Sequence, residues 1–129
     1  MPATMGRFLV TAFFFVVFGQ SALDKINDRD GNTAYFKDHF KNAPFPPDLV
    51  PLLLTAITVI EALAALFCGL GILFFSWRNP GCNLASIGVG FAGLALLCLM
   101  SGQRLAKDYA GAAVVASYFA VALLGLALF

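Results

Sequence analysis

Four long apolar runs separated by short polar breaks organise this chain. The first covers residues 6–23 (GRFLVTAFFFVVFGQSAL). A helix rises ~1.5 Å per residue and the hydrocarbon core of a bilayer needs about 20 residues, so this span extends to Ile26. The second run starts at Asp48 and reaches Phe75, the third covers residues 82–100, and the fourth covers residues 110–129. The pattern predicts an all-α, integral membrane four-helix transmembrane bundle with spans 6–26, 48–75, 82–100 and 110–129. With no internal repeat or low-complexity linker, it reads as one domain over residues 1–129. Arg7 and the Ser21-Ala22-Leu23 end of the first run also suit a secretory leader. Its Phe-rich centre, the Gly19-Gln20 pair and the three further spans favour a retained helix.

Residues 27–47 form the one sizeable extramembrane segment. DKINDRDGN (residues 24–32) is rich in turn formers, whereas AYFKDHFKN (residues 34–42) has helical spacing. Tyr35, Phe36 and Phe40 fall on one side, with Lys37, Asp38 and Lys41 largely opposite, which predicts a short amphipathic helix in the interface. The PFPP run that follows breaks any helix, and Asp48 is placed to cap the second span. Residues 76–81 read as a tight turn, with Trp77 and Arg78 suited to anchoring it at the membrane surface.

Composition agrees with lipid as the solvent. Hydrophobic residues make up 60% of the chain and mean hydropathy is +0.87, with only 12% charged against about 25% in an ordinary soluble domain. A soluble chain this short buries too little of its surface to hide that much apolar area. Net charge is +1 and no long basic run occurs, so no nucleic-acid partner is indicated. Charge is segregated instead: residues 24–48 hold nine acidic and basic side chains and residues 104–108 hold three, leaving Arg7, Glu61 and Arg78. Lys25, Arg29, Lys37, Lys41, Arg104 and Lys107 follow the first and third spans, and Arg7 and Arg78 lie on the other side. This balance favours charged loops in the cytoplasm and both termini outside, although Arg7 pulls the other way.

Helices in lipid associate through close backbone approach and polar contacts. The third span offers Ala85, Ser86, Gly88, Gly90, Ala92, Gly93 and Ala95; the fourth offers Gly111, Ala112, Ala113, Ala116, Ser117 and Ala120. These small residues read first as packing faces. Phe13, Phe14, Phe15 and Phe18 suit lipid contact or a bulky interface.

Glu61 stands out among the polar residues. It lies thirteen residues after Asp48, ~20 Å along a helix, which puts it near the middle of the bilayer. A carboxylate there is costly unless protonated, paired or hydrated. Thr58, Ala65 and Cys68 share its face. Tyr118, ~13 Å past Tyr109 by the same rise, together with Ser117 and Gln20, can join it in one buried cluster. Two readings stand: a protonated Glu61 that glues helices together, or a ligand or proton site. At the membrane edge, Asp24, Lys25, Arg104, Lys107, Asp108 and Tyr109 can meet as a cap of ion pairs. They can equally hold a lipid phosphate or a quinone head, or form solvated helix ends.

The three cysteines contain no Cys-x-x-Cys pair. Cys82 and Cys98 are too far apart on one helix to bridge, while Cys68 and Cys82 can approach near the Trp77 turn. His39 is the single histidine, which excludes a bis-His haem and argues against a metal site. Neither a Ser-His-Asp set nor a phosphate loop is present, so no independent catalytic activity is expected.

The layout resembles the DoxX-like family of four-helix membrane proteins. The resemblance rests on Gly6-Arg7 before the first span, FGQSALDK (residues 18–25) closing it and a loop with a tyrosine and prolines before the second. Glu61 within VIEALAALFCGLGIL and QRLAKDYAGAA (residues 103–113) before the last helix complete it. Arg7, Lys25, Glu61 and the Asp108-Tyr109-Ala110-Gly111 stretch match the family's recurring polar positions. The loop over residues 24–48 is more elaborate than the family pattern, which suits a partner private to this protein. The resemblance implies an accessory subunit of a quinone-linked redox or respiratory complex, in a bacterial inner or plasma membrane crossed several times. Such a subunit would carry no covalent cofactor and would shape a quinone or lipid pocket near Glu61, with other membrane-protein subunits as partners. The alternatives are a stand-alone bundle that transports a small solute or protons, and a purely structural partner of another membrane protein.

Overall fold

The structure, a computed structural model, describes residues 2–78 and 83–129. Among these residues there are five α-helices: α1 (Pro2–Asn27), α2 (Arg29–His39), α3 (Val50–Leu73), α4 (Asn83–Leu105) and α5 (Tyr109–Leu128). A single 3-10 turn, Pro47–Leu49, leads into α3. Four helices are long and apolar enough to cross a bilayer: α1, α3 with its leading turn, α4 and α5. They pack as an antiparallel ring in the order α1, α3, α4, α5, which closes where α5 meets α1.

The expected spans are present with shifted ends. The segment DKINDRDGN is helical almost throughout, because α1 runs on to Asn27 and α2 starts at Arg29. Only Asp28 breaks the path, and it caps α2 by accepting the Gly31 N–H at 3.2 Å. The interfacial helix is therefore longer than AYFKDHFKN alone predicts. Asp48 does not cap the second span: it lies inside the 3-10 turn, and Leu49 occupies the cap position without a side-chain bond. The third span runs five residues beyond Met100 and ends in a glycine-type helix stop built without glycine. Lys107 sits at φ 62°, while the Asp108 N–H reaches Gln103 O at 2.9 Å and the Lys107 N–H reaches Arg104 O at 3.1 Å, the Schellman pattern.

Small residues set how closely the helices approach. A methyl group added at Gly88 would lie 2.5 Å from the Cys68 backbone nitrogen, and one at Gly71 would lie 2.7 Å from that of Ala85. So α3 and α4 touch backbone to backbone, and α4 buries the largest share of its span. Gly125 likewise admits Val10 of α1. Gly90 faces open space, so the small-residue face of α4 is narrower than its composition predicts. Phe14 and Phe18 fill the centre with Val89, Leu96 and neighbouring alanines, whereas Phe13 and Phe15 lie on the exposed side. At the end of the bundle away from α2, Trp77 packs on Phe8 and Phe75 with ring centroids 5.1 and 5.0 Å away. Cys82 lies outside the described residues; Cys68 is buried and Cys98 exposed.

Candidate functional site

Two features near the charged end of the bundle carry chemistry. The first is a buried ionic contact between α1 and α3. Glu61 is completely buried. Its Oε2 accepts a hydrogen bond from the Ser21 hydroxyl at 2.7 Å and one from Lys25 Nζ at 3.2 Å. Lys25 also donates to Ser21 Oγ at 2.7 Å. Lys25 and Ser21 are one turn apart on α1, so the ammonium extends back along its own helix towards the carboxylate. Thr58, on the Glu61 face, bonds to Leu54 O of its own helix at 2.6 Å. Glu61 Oε1 has no hydrogen-bond partner among the described residues.

This geometry replaces the cluster expected from depth alone. Gln20 is exposed on the outer side of α1, Ser117 bonds to Val114 O of its own helix, and Tyr118 is exposed against the edge of Phe13. None of the three joins Glu61. In the ring, α5 lies across from α3 with α1 and α4 between them, and on α1 it is Ser21 that faces α3. The two helices are also offset along their axes. Arg29, just past the end of α1, donates to Pro51 O at 3.2 Å and to Thr55 Oγ1 at 2.6 Å, so the first turns of α3 project beyond α1. Glu61 is six residues from Thr55, ~9 Å along the axis, and so sits midway along α3 while lying only a short way inside the end of α1. That is why a lysine close to the helix end can pair with it.

The second feature is an apolar groove of about 660 Å³ between α3 and α4, roofed by α2. Phe36, Phe40 and Phe45 line it from above and Leu53, Ile57 and Ile60 from α3, with Leu97, Gly102 and Gln103 on α4. Phe40 stacks on Phe36 with centroids 6.0 Å apart, and its ring lies over Gly102, where an added methyl would come within 3.4 Å. The groove opens on the side of α3 away from Ser21, and Glu61 is not part of its wall.

Polar contacts hold α2 over this groove, since none of its residues is buried. Arg29 fixes its start. At its end His39 Nε2 lies 2.6 Å from Gln103 Oε1 and 3.8 Å from Asp108 Oδ2, and the His39 ring stacks on Tyr35. The residues expected to form one membrane-edge cluster thus divide among separate tasks. Lys25 turns inward to Glu61. Asp108 caps α5 by accepting the Gly111 N–H at 2.9 Å. Arg104 lies over the Tyr109 ring at 4.7 Å, Lys107 ends α4, and Asp24 points outward. Sequence reasoning missed Ser21, Arg29, His39 and Gln103 as contact makers. Ser21 had a signal, since it sits one turn before Lys25 on the same helical face.

Among the described residues no group of His, Cys, Asp and Glu is arranged to hold a metal ion. Comparison with known protein families, curated proteins and solved structures finds no match to this chain.

Proposed function

We propose that this protein is a non-catalytic subunit of a quinone-linked redox complex in a bacterial plasma membrane, and that it holds the apolar tail of a quinone or lipid beneath α2. The groove is the observation that carries this reading. Its volume falls in the ~300–1,000 Å³ range of small-molecule sites. Its walls are aromatic and aliphatic, and it lies below an interfacial helix at the level of the outer hydrocarbon. At its rim, Gln103, held by His39 at 2.6 Å, supplies an amide for a polar head. A long-tailed amphiphile matches that order of surfaces. The DoxX-like layout implies the same assignment. In this reading Glu61 pins α1 to α3, a packing role supported by its pairing with Lys25 and Ser21, and does not touch the tail.

The test is purification of the tagged protein from its native membrane in mild detergent, with mass spectrometry of the proteins, lipids and quinones that travel with it. Redox subunits and quinone are expected in stoichiometric amounts. Ala56→Trp places bulk in the groove from an exposed position and is expected to lower bound quinone or lipid about tenfold while the subunits still co-purify. Recovery of the protein alone and monodisperse, with neither, would refute the proposal.

A further inference from the structure

The outer face of α1 carries a polar stripe that the bundle itself leaves unused. Gln20, Asp24 and Asn27 follow one another at spacings of four and three, and all three are exposed. The Gln20 amide and the Asp24 carboxylate have no partner among the described residues. The 26 residues of α1 extend ~39 Å, longer than the ~30 Å hydrocarbon core. With the helix centred, Gln20 lies ~8 Å from the midplane and Asp24 ~14 Å. Gln20 is thus inside the hydrocarbon layer and Asp24 at its boundary. Polar side chains at such depths belong at helix–helix contacts.

The shape beside the stripe fits such a contact. A methyl group added at Gly19 would meet nothing within 4 Å. Val16, Gly19, Gln20, Leu23 and Asp24 line a shallow concavity of about 440 Å³ there. Phe15 forms one flank, held by packing against Gly69 of α3. A neighbouring backbone can approach at Gly19, with Gln20 able to donate and accept and Asp24 offering a negative charge.

We infer that this face of α1 docks a transmembrane helix of a different subunit, one that presents a lysine or arginine to Asp24. The inference rests on the subunit reading above and names its contact surface. Charge selects the occupant. A second copy, paired in parallel about a two-fold axis, would bring the same residues together and set Asp24 against Asp24. A basic partner side chain at the membrane edge removes that conflict and gives the carboxylate a counter-ion.

The test uses the full chain in its native membrane, with a photoreactive benzophenone side chain placed at position 19 and, as control, at Leu124 on the exposed face of α5. Adducts are mapped by mass spectrometry. Position 19 is expected to join one heterologous protein, on a transmembrane helix within one turn of a Lys or Arg. Asp24→Lys should lower that adduct at least tenfold, and reversing the partner's basic charge should restore it. The melting of the purified Asp24→Lys bundle should match the wild type, since the exposed Asp24 side chain makes no hydrogen bond or ion pair among the described residues. Adducts with lipid alone, adducts with a second copy, or a yield indifferent to Asp24→Lys would each overturn the inference. A specific partner outside any redox complex would uphold the surface and refute the redox assignment. A redox complex recovered undiminished from Asp24→Lys membranes would refute the surface and leave that assignment standing.

Discussion

Removing Lys25 tests the role assigned to Glu61 most directly. In Lys25→Met the carboxylate stays fully buried with the Ser21 hydroxyl as its one remaining donor among the described residues. Removing one partner of a buried pair costs ~3–5 kcal/mol. The Lys25 side chain is 10% exposed at the helix end, which places the loss near the low end, about 3 kcal/mol or roughly a hundredfold in the folded population. Glu61→Gln is the milder change. Its amide oxygen still accepts from Ser21, and Lys25 is free to extend past α1 into water, so about 1.5 kcal/mol is lost with the charge-assisted bond. The double variant Lys25→Met/Glu61→Gln leaves no buried unpaired charge and should resemble Glu61→Gln alone, a non-additivity of about 2–3 kcal/mol. The assay is unfolding by SDS from mild-detergent micelles, followed by fluorescence of the single tryptophan. Trp77 packs on Phe8 of α1 and on Phe75 just past α3, so its signal reports their separation. Equal losses for the two single variants, or simple addition in the double, would show that the pair does not hold α1 to α3.

Gly88→Ala should destabilise by about 1–3 kcal/mol in the same titration, because its methyl group would press on the Cys68 backbone. Gly90→Ala, facing open space, should stay within about 0.5 kcal/mol of wild type. Equal effects at the two glycines would refute the close α3–α4 contact. Lys107→Gly should stabilise by up to about 1 kcal/mol, since Lys107 holds a left-handed backbone that costs an L side chain roughly this much; a loss in the SDS midpoint would mean that the Lys107 side chain contributes more than its backbone strain costs.

Several elements were legible because they depend on local composition. Unbroken apolar runs of helical length announce the spans, and the amphipathic spacing of Tyr35, Phe36 and Phe40 announces α2, which ends at His39 ahead of the PFPP run. Glu61 was legible as buried, being an isolated carboxylate in an apolar run. Its pairing with Lys25 was not, because matching depths from Asp48 presumes that α1 and α3 end at one level, whereas Arg29 bonds to Pro51 and Thr55 and shows that α3 projects further. The break at Asp28 was hidden for a related reason: turn-forming residues also serve as helix caps, and side-chain hydrogen bonding decides which role each takes.

The sequence by itself determined that the chain is an all-α bundle matched to lipid, with its charge gathered at one end, since hydrophobicity and length are properties of a segment. The tertiary structure alone decided which polar residues meet. Ser21 and Gln20 are adjacent in the chain but ~100° apart around the helix. The rotation of α1 against α3 therefore places one on Glu61 and the other outside. That rotation is set by where small residues such as Gly69, Gly71 and Gly88 admit their neighbours, a pairwise fit between distant segments that no single run of residues encodes.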